Sequence, residues 1–135
     1  MSCTKKNKLN RLRNEKDKVG FVDSLGNTVI DFIFDGADDF SEGYAPVYLN
    51  KNGKDFYGFI NEEGELIIDY IYEYAESFSN GLSMVRLNRL FGYINCIGDI
   101  IIPIRYQQAS SFKEGKAFVE FNKRKFVIDV FGNEV

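Results

Sequence analysis

Few side chains in this sequence are equipped for covalent or acid–base chemistry. Histidine is absent, which removes the commonest general base and metal ligand. Cys96 is second in the turn Asn95-Cys96-Ile97-Gly98, where Ser24, Glu62 and Val130 hold the matching places. It reads as an exposed turn residue with no imidazole to make it a nucleophile. The stretch DGADDFSEG brings Asp35, Asp38, Asp39 and Glu42 together, enough oxygen for a cation. It lacks the alternate-position spacing of a calcium loop and reads as a solvated acidic loop. Asp23, Asn61, Asn95 and Asp129 occur at one place in successive repeats, and a catalytic carboxylate has no reason to be repeated. No catalytic residue, metal ligand or cofactor is therefore expected. What remains is the chemistry of contact. Six of the eight tyrosines fall between 44 and 74, and Tyr44, Tyr48 and Tyr74 have no aromatic counterpart in the other units. Tyr is enriched at interface hot spots, so these three are expected to form one exposed binding patch, with Tyr48 on a lengthened hairpin spanning 47–57.

The elements that must carry such a patch are repeats. Gly26, Gly64, Gly98 and Gly132 are separated by 38, 34 and 34 residues, and Gly43, Gly81 and Gly115 by 38 and 34. Six apolar columns keep the same step, among them Phe21, Phe59, Tyr93 and Phe40, Phe78, Phe112. A period in this range marks units that bury their apolar faces only against neighbours. In YGFINEEGELII, residues 57–68, apolar residues alternate on either side of the turn, the β period. The turns DSLG, NEEG, NCIG and DVFG each open with Asp or Asn and close with Gly: a side-chain-capped turn followed by a left-handed residue and a bulge. The first unit is four residues longer, and Asn52-Gly53 inside the insertion is a strong hairpin signal. Two residues added to each arm leave every side chain on its original face. Each unit is expected to hold three strands plus an irregular segment such as YEYAESFSNG with one helical turn. The recurring aromatic columns are expected in the core, with Phe78 and Phe112 against Ala75 and Ala109.

An aromatic-Gly pair, a D/N-x-x-G turn, an apolar Val/Ile pair, then Y-x-x-A-x-x-F-S/K-x-G and a Val strand resembles the WG (Trp-Gly) repeat found in many bacterial proteins. The likeness covers nearly all of residues 19–135. The Trp position is held by Val19, Tyr57, Phe91 and Lys125, and the Gly after it is replaced by Phe126 in the last copy. The resemblance implies a repeat scaffold and supplies no active-site residues. The expected fold is all-β: a basic arm and partial repeat over 1–18, units at 19–56, 57–90 and 91–124, and a half-unit at 125–135. These are expected to form an open curved array, the alternative being a closed propeller-like ring, since three strands are few for a propeller blade.

Charge narrows the partners. The net charge is −3, but residues 1–18 carry seven basic against two acidic side chains, leaving the remainder at −8. An acidic body is a poor nucleic-acid platform, because phosphate binding needs a basic face. No apolar run reaches the length of a membrane helix, and no apolar leader follows the first charges, so the expectation is a cytoplasmic protein. The alternative is a surface lipoprotein with Cys3 as its mature N-terminus. Two cysteines make no disulfide framework. The expected function is a non-enzymatic module binding a protein or peptide, the alternatives being glycan or envelope binding and, third, a carboxylate-based glycosidase.

Overall fold

The D/N-x-x-G phrase folds the same way four times in the computed structural model of the protein, which describes residues 8–135. Asp23 Oδ1 accepts hydrogen bonds from the amides of Leu25 and Asn27, both at 2.9 Å. Asn61, Asn95 and Asp129 accept from the equivalent pairs of amides. The closing glycines lie at φ of 87°, 82°, 92° and 86°, a region Gly enters without a Cβ penalty. Two further turns per unit are type I′, with both central residues at positive φ. One set is Glu42-Gly43, Asn80-Gly81 and Glu114-Gly115; the other is Asn52-Gly53, Asn88-Arg89 and Asn122-Lys123.

Among the described residues these turns join fourteen strands in four antiparallel sheets. The first sheet holds β1 (Asn10–Arg13), β2 (Val19–Val22) and β3 (Thr28–Phe34). The second holds β4 (Gly36–Ala37), β5 (Tyr44–Lys51), β6 (Lys54–Asn61) and β7 (Leu66–Tyr72). The third holds β8 (Tyr74–Ala75), β9 (Ser83–Leu87), β10 (Leu90–Ile94) and β11 (Ile100–Tyr106). The fourth holds β12 (Gln108–Ala109), β13 (Lys116–Phe121) and β14 (Arg124–Asp129). The irregular segments expected to contain a helical turn instead supply the two-residue strands β4, β8 and β12, and the described residues contain no helix. The middle sheets consequently have four strands rather than three. The insertion is a hairpin extension, with β5 and β6 of eight residues against five in β9 and β10.

Sheets and sequence units are offset. Unit 57–90 gives β6 and β7 to the second sheet and β8 and β9 to the third, so the chain itself stitches neighbouring sheets. Packing does the same. One buried cluster joins Phe21 and Phe34 to Ala45 and Ile60, a second joins Phe59 and Tyr72 to Phe78 and Ile94, and a third joins Tyr93 and Tyr106 to Phe112 and Ile128. None of these clusters joins the first sheet to the last, and among the described residues no sheet closes into a barrel. The array is open. Phe40, Phe78 and Phe112 each set a ring 4.8 Å from Phe21, Phe59 and Tyr93 respectively, and all six rings are buried. Ala75 is buried in the Phe78 cluster, and Ala109 packs at the margin of the Phe112 cluster.

Two local expectations are corrected. Cys96 is not exposed: it is 4% accessible and disulfide-bonded, while Cys3 lies outside the described residues. The acidic loop is engaged, not merely solvated. Asp35 forms an ion pair with Lys18 and accepts from the Asn50 amide, Asp39 pairs with Arg11 at 3.1 Å, and Glu42 accepts from the Gly81 amide at 3.0 Å. The Asn50 amide, then Lys18, hold the Asp35 carboxyl below its usual range.

Candidate contact surface

Tyr48 and Tyr57 are directly opposite each other on β5 and β6, and cross-strand neighbours sit within reach of ring contact. Their centroids are 4.9 Å apart, and Tyr74 on β8 meets Tyr57 edge-on at 5.2 Å. Three half-buried rings thus form one ladder from the second sheet to the third. A Cβ at Gly36 would collide with the Tyr48 ring, so this glycine is what lets Tyr48 lie flat on β4. Tyr74 stands where Gly36 stands in the preceding sheet.

Of the three tyrosines singled out in the sequence, the structure brings Tyr48 and Tyr74 together and sets Tyr44 apart. Tyr44 is four residues down β5, about 13 Å along an extended strand, and packs against Phe78 at 5.8 Å. The middle rung, Tyr57, occupies a repeated aromatic column and so escaped notice; facing Tyr48 across the Asn52-Gly53 hairpin was the signal that pointed to it.

Tyr57 and Tyr74 border an open groove of about 510 Å³ that Arg86, Arg89 and Phe91 also line, Arg86 being the cross-strand neighbour of Tyr74. Arg86 lies over the Phe91 ring at 5.7 Å, and its buried Nε donates no hydrogen bond, the Glu73 carboxylate being 4.0 Å away. Glu73 accepts instead from the amides of Asn88 and Arg89, which pins the turn that presents Arg89. Asp35 and Gln107 hold the corresponding turns through Asn50 and Asn122. Tyr74 Oη donates to Glu76, whose other oxygen accepts from Ser111 at 3.3 Å. Burial, reinforced by Tyr48 and Asp55, pushes the Tyr57 phenol up to about 12; burial and then the Glu76 bond raise Tyr74 further. Both phenols are protonated donors at neutral pH.

A second exposed feature was not foreseen. The outer strands β3, β7 and β11 present Val29 and Ile33, Ile67 and Ile71, and Ile101 to solvent. The sequence signal was the nearly unbroken apolar run in TVIDFIF, LIIDYIY and IIIPIRY, where a half-buried strand alternates strictly. No helix among the described residues is long and apolar enough to cross a membrane.

No curated protein matches the chain. A family model described as WG containing repeat matches residues 20–54, 57–90 and 91–124, each span carrying the aromatic column, the capped turn and the second glycine already described. The chain belongs to the WG containing repeat family.

Proposed function

We propose that the protein is a non-enzymatic module that binds a protein or peptide through the Tyr48, Tyr57 and Tyr74 ladder and the groove beside it. The observation that carries this reading is the continuous contact of three half-exposed rings between the second and third sheets, where the lengthened hairpin and Tyr74 depart from the repeat pattern. Rings at repeated positions elsewhere are committed to the core, whereas these combine apolar faces with protonated hydroxyls, the combination that favours hot spots. Arg86 and Arg89, which also line the groove, add donors for a carbonyl or carboxylate of the ligand.

The test is cross-linked capture of partners by the parent protein, by a Tyr48→Ser/Tyr74→Ser variant with unchanged circular dichroism, and by Leu25→Ser, an exposed site away from the ladder. Capture should fall at least roughly tenfold in the double variant, hot-spot rings contributing about 2 kcal/mol each, and stay at the parent level in Leu25→Ser. Full retention by the double variant removes the proposal. A glycan is the second reading, favoured by ring faces bordering a groove that also holds Asp55 and Glu73. Glycan-array binding that depends on the same tyrosines would select it.

A further inference from the structure

The last copy of the repeat departs from the others at two adjacent places, and the structure shows what both do. In the first three sheets the glycine preceding the hairpin aromatic lies beneath the backbone of the next strand. A Cβ on Gly20 would stand 2.6 Å from the Ile30 carbonyl oxygen; on Gly92 it would stand 2.6 Å from Ile104 Cα and 2.8 Å from the Ile102 oxygen; on Gly58 it would strike the Ile68 oxygen. Only glycine leaves room there for β3, β7 and β11. In the fourth sheet the matching residue is Phe126, opposite Val119 as Gly58 is opposite Val47 and Gly92 opposite Val85. Its neighbour Lys125 takes the place of Tyr57 and Phe91, which face Tyr72 and Tyr106 of the next strand. On β14 that next strand is represented by the Ile128–Glu134 bridge and the bond from the Val135 amide to the Val127 oxygen.

We propose that Lys125 and Phe126 form an end stop on β14 that closes its outer edge, beyond Val127, to the kind of strand that β3, β7 and β11 supply in the other sheets, whether that strand comes from a further unit or from an extended segment of another chain. The Phe126 Cβ occupies the path of an incoming backbone, and Lys125 offers an ammonium where Val19, Tyr57 and Phe91 offer an apolar side chain to the aromatic residue of the next strand. Charged side chains on exposed edges serve this purpose generally. The Phe126 ring is itself held in place, with Arg124 over its face at 4.6 Å and Tyr106 at 6.4 Å. The surface around it is apolar: Phe118 is 70% exposed, where its counterpart Met84 is 7% exposed beneath the following unit.

The probe is a synthetic peptide of residues 102–113, IPIRYQQASSFK, labelled with fluorescein on Lys113. Its Ile, Tyr and Phe reproduce the residues that seal each internal junction, and its first residue falls after Val135 in the ladder. Fluorescence anisotropy should show no saturable binding to the parent chain or to Phe126→Ala, which keeps a Cβ. Saturable binding should appear with Phe126→Gly and be at least tenfold tighter in Lys125→Tyr/Phe126→Gly, with hydrogen-exchange protection gained at residues 125–127. The Ala variant controls for loss of the ring and its packing. Binding to the parent as tight as to Phe126→Gly, equal binding to the Ala and Gly variants, or none to the double variant overturns the proposal. Tyr48→Ser should leave all of these results unchanged, which separates the end stop from the ladder.

Discussion

At the scale of single residues, the turns and the tyrosines make the sharpest predictions. Gly98 lies at φ 92° with Ile68 Cγ1 only 3.4 Å from where its Cβ would be. Gly98→Val places a branched residue in the left-handed region and should cost about 1–2 kcal/mol, read from the shift of a urea midpoint at constant slope. A second expectation concerns alkaline pH. Burial raises the Tyr57 phenol from 10.0 to about 12, so the folded chain holds that proton more tightly than the unfolded one. The stability this contributes is complete below about pH 10 and is lost as pH rises from there to about 12, because the unfolded state ionises first. Tyr70, Tyr72, Tyr74 and Tyr93 are raised in the same direction, burial being the main cause. Urea titrations across this range should show the parent losing stability faster than Tyr57→Phe, which has no proton to hold. Parallel curves would place the ring in a wetter setting than the ladder describes.

At the scale of elements, the tight turns couple units as well as reversing strands. Ser41 Oγ donates to the Phe78 carbonyl at 2.8 Å, and Ser79 Oγ to the Phe112 carbonyl at 2.5 Å. The next side chain in each turn, Glu42 or Asn80, accepts from the Gly81 or Gly115 amide of the following turn. Each I′ turn is thus a clasp on its successor. Ser79→Ala removes one donor and leaves a half-buried carbonyl without it, so it should cost about 1 kcal/mol. The same change should raise hydrogen exchange in the Lys113–Lys116 turn more than in the Ser41–Tyr44 turn. Equal exchange in both would mean that the clasp does not transmit along the array.

At the scale of the whole molecule, stability is a chain of nearest-neighbour junctions. Phe78 is 1% exposed and touches Phe59 and Tyr44 across the middle junction, so Phe78→Ala should cost about 3–5 kcal/mol, a large share of the 5–15 kcal/mol typical of a domain. The expected signature in a thermal melt is a lower and broader transition as the two halves uncouple, and a melt matching the parent would place the ring outside the core. Because β1 and β14 belong to sheets with one neighbour while β6 and β10 belong to sheets with two, amides in the terminal strands should exchange fastest.

The sequence by itself determined the local half of this protein. Period, turn chemistry, the hairpin extension and the buried aromatic columns are all encoded within a dozen residues, by Asn or Asp caps, by glycines needing positive φ and by period-two alternation. Such signals act at short range, so they are legible without a fold. Tertiary structure decided which strands share a sheet, since the units read along the chain are offset from the sheets, and the two-residue strands β4, β8 and β12 exist only because β5, β9 and β13 offer them an edge. It likewise decided that Tyr57 joins Tyr48 and Tyr74 while Tyr44 turns to Phe78, because ring contacts depend on cross-strand register rather than on spacing along the chain. Phe126 shows the difference most plainly. As a letter it is a lapse in a glycine column; only the strand backbones lying across Gly20, Gly58 and Gly92 reveal that a Cβ at that place closes an edge.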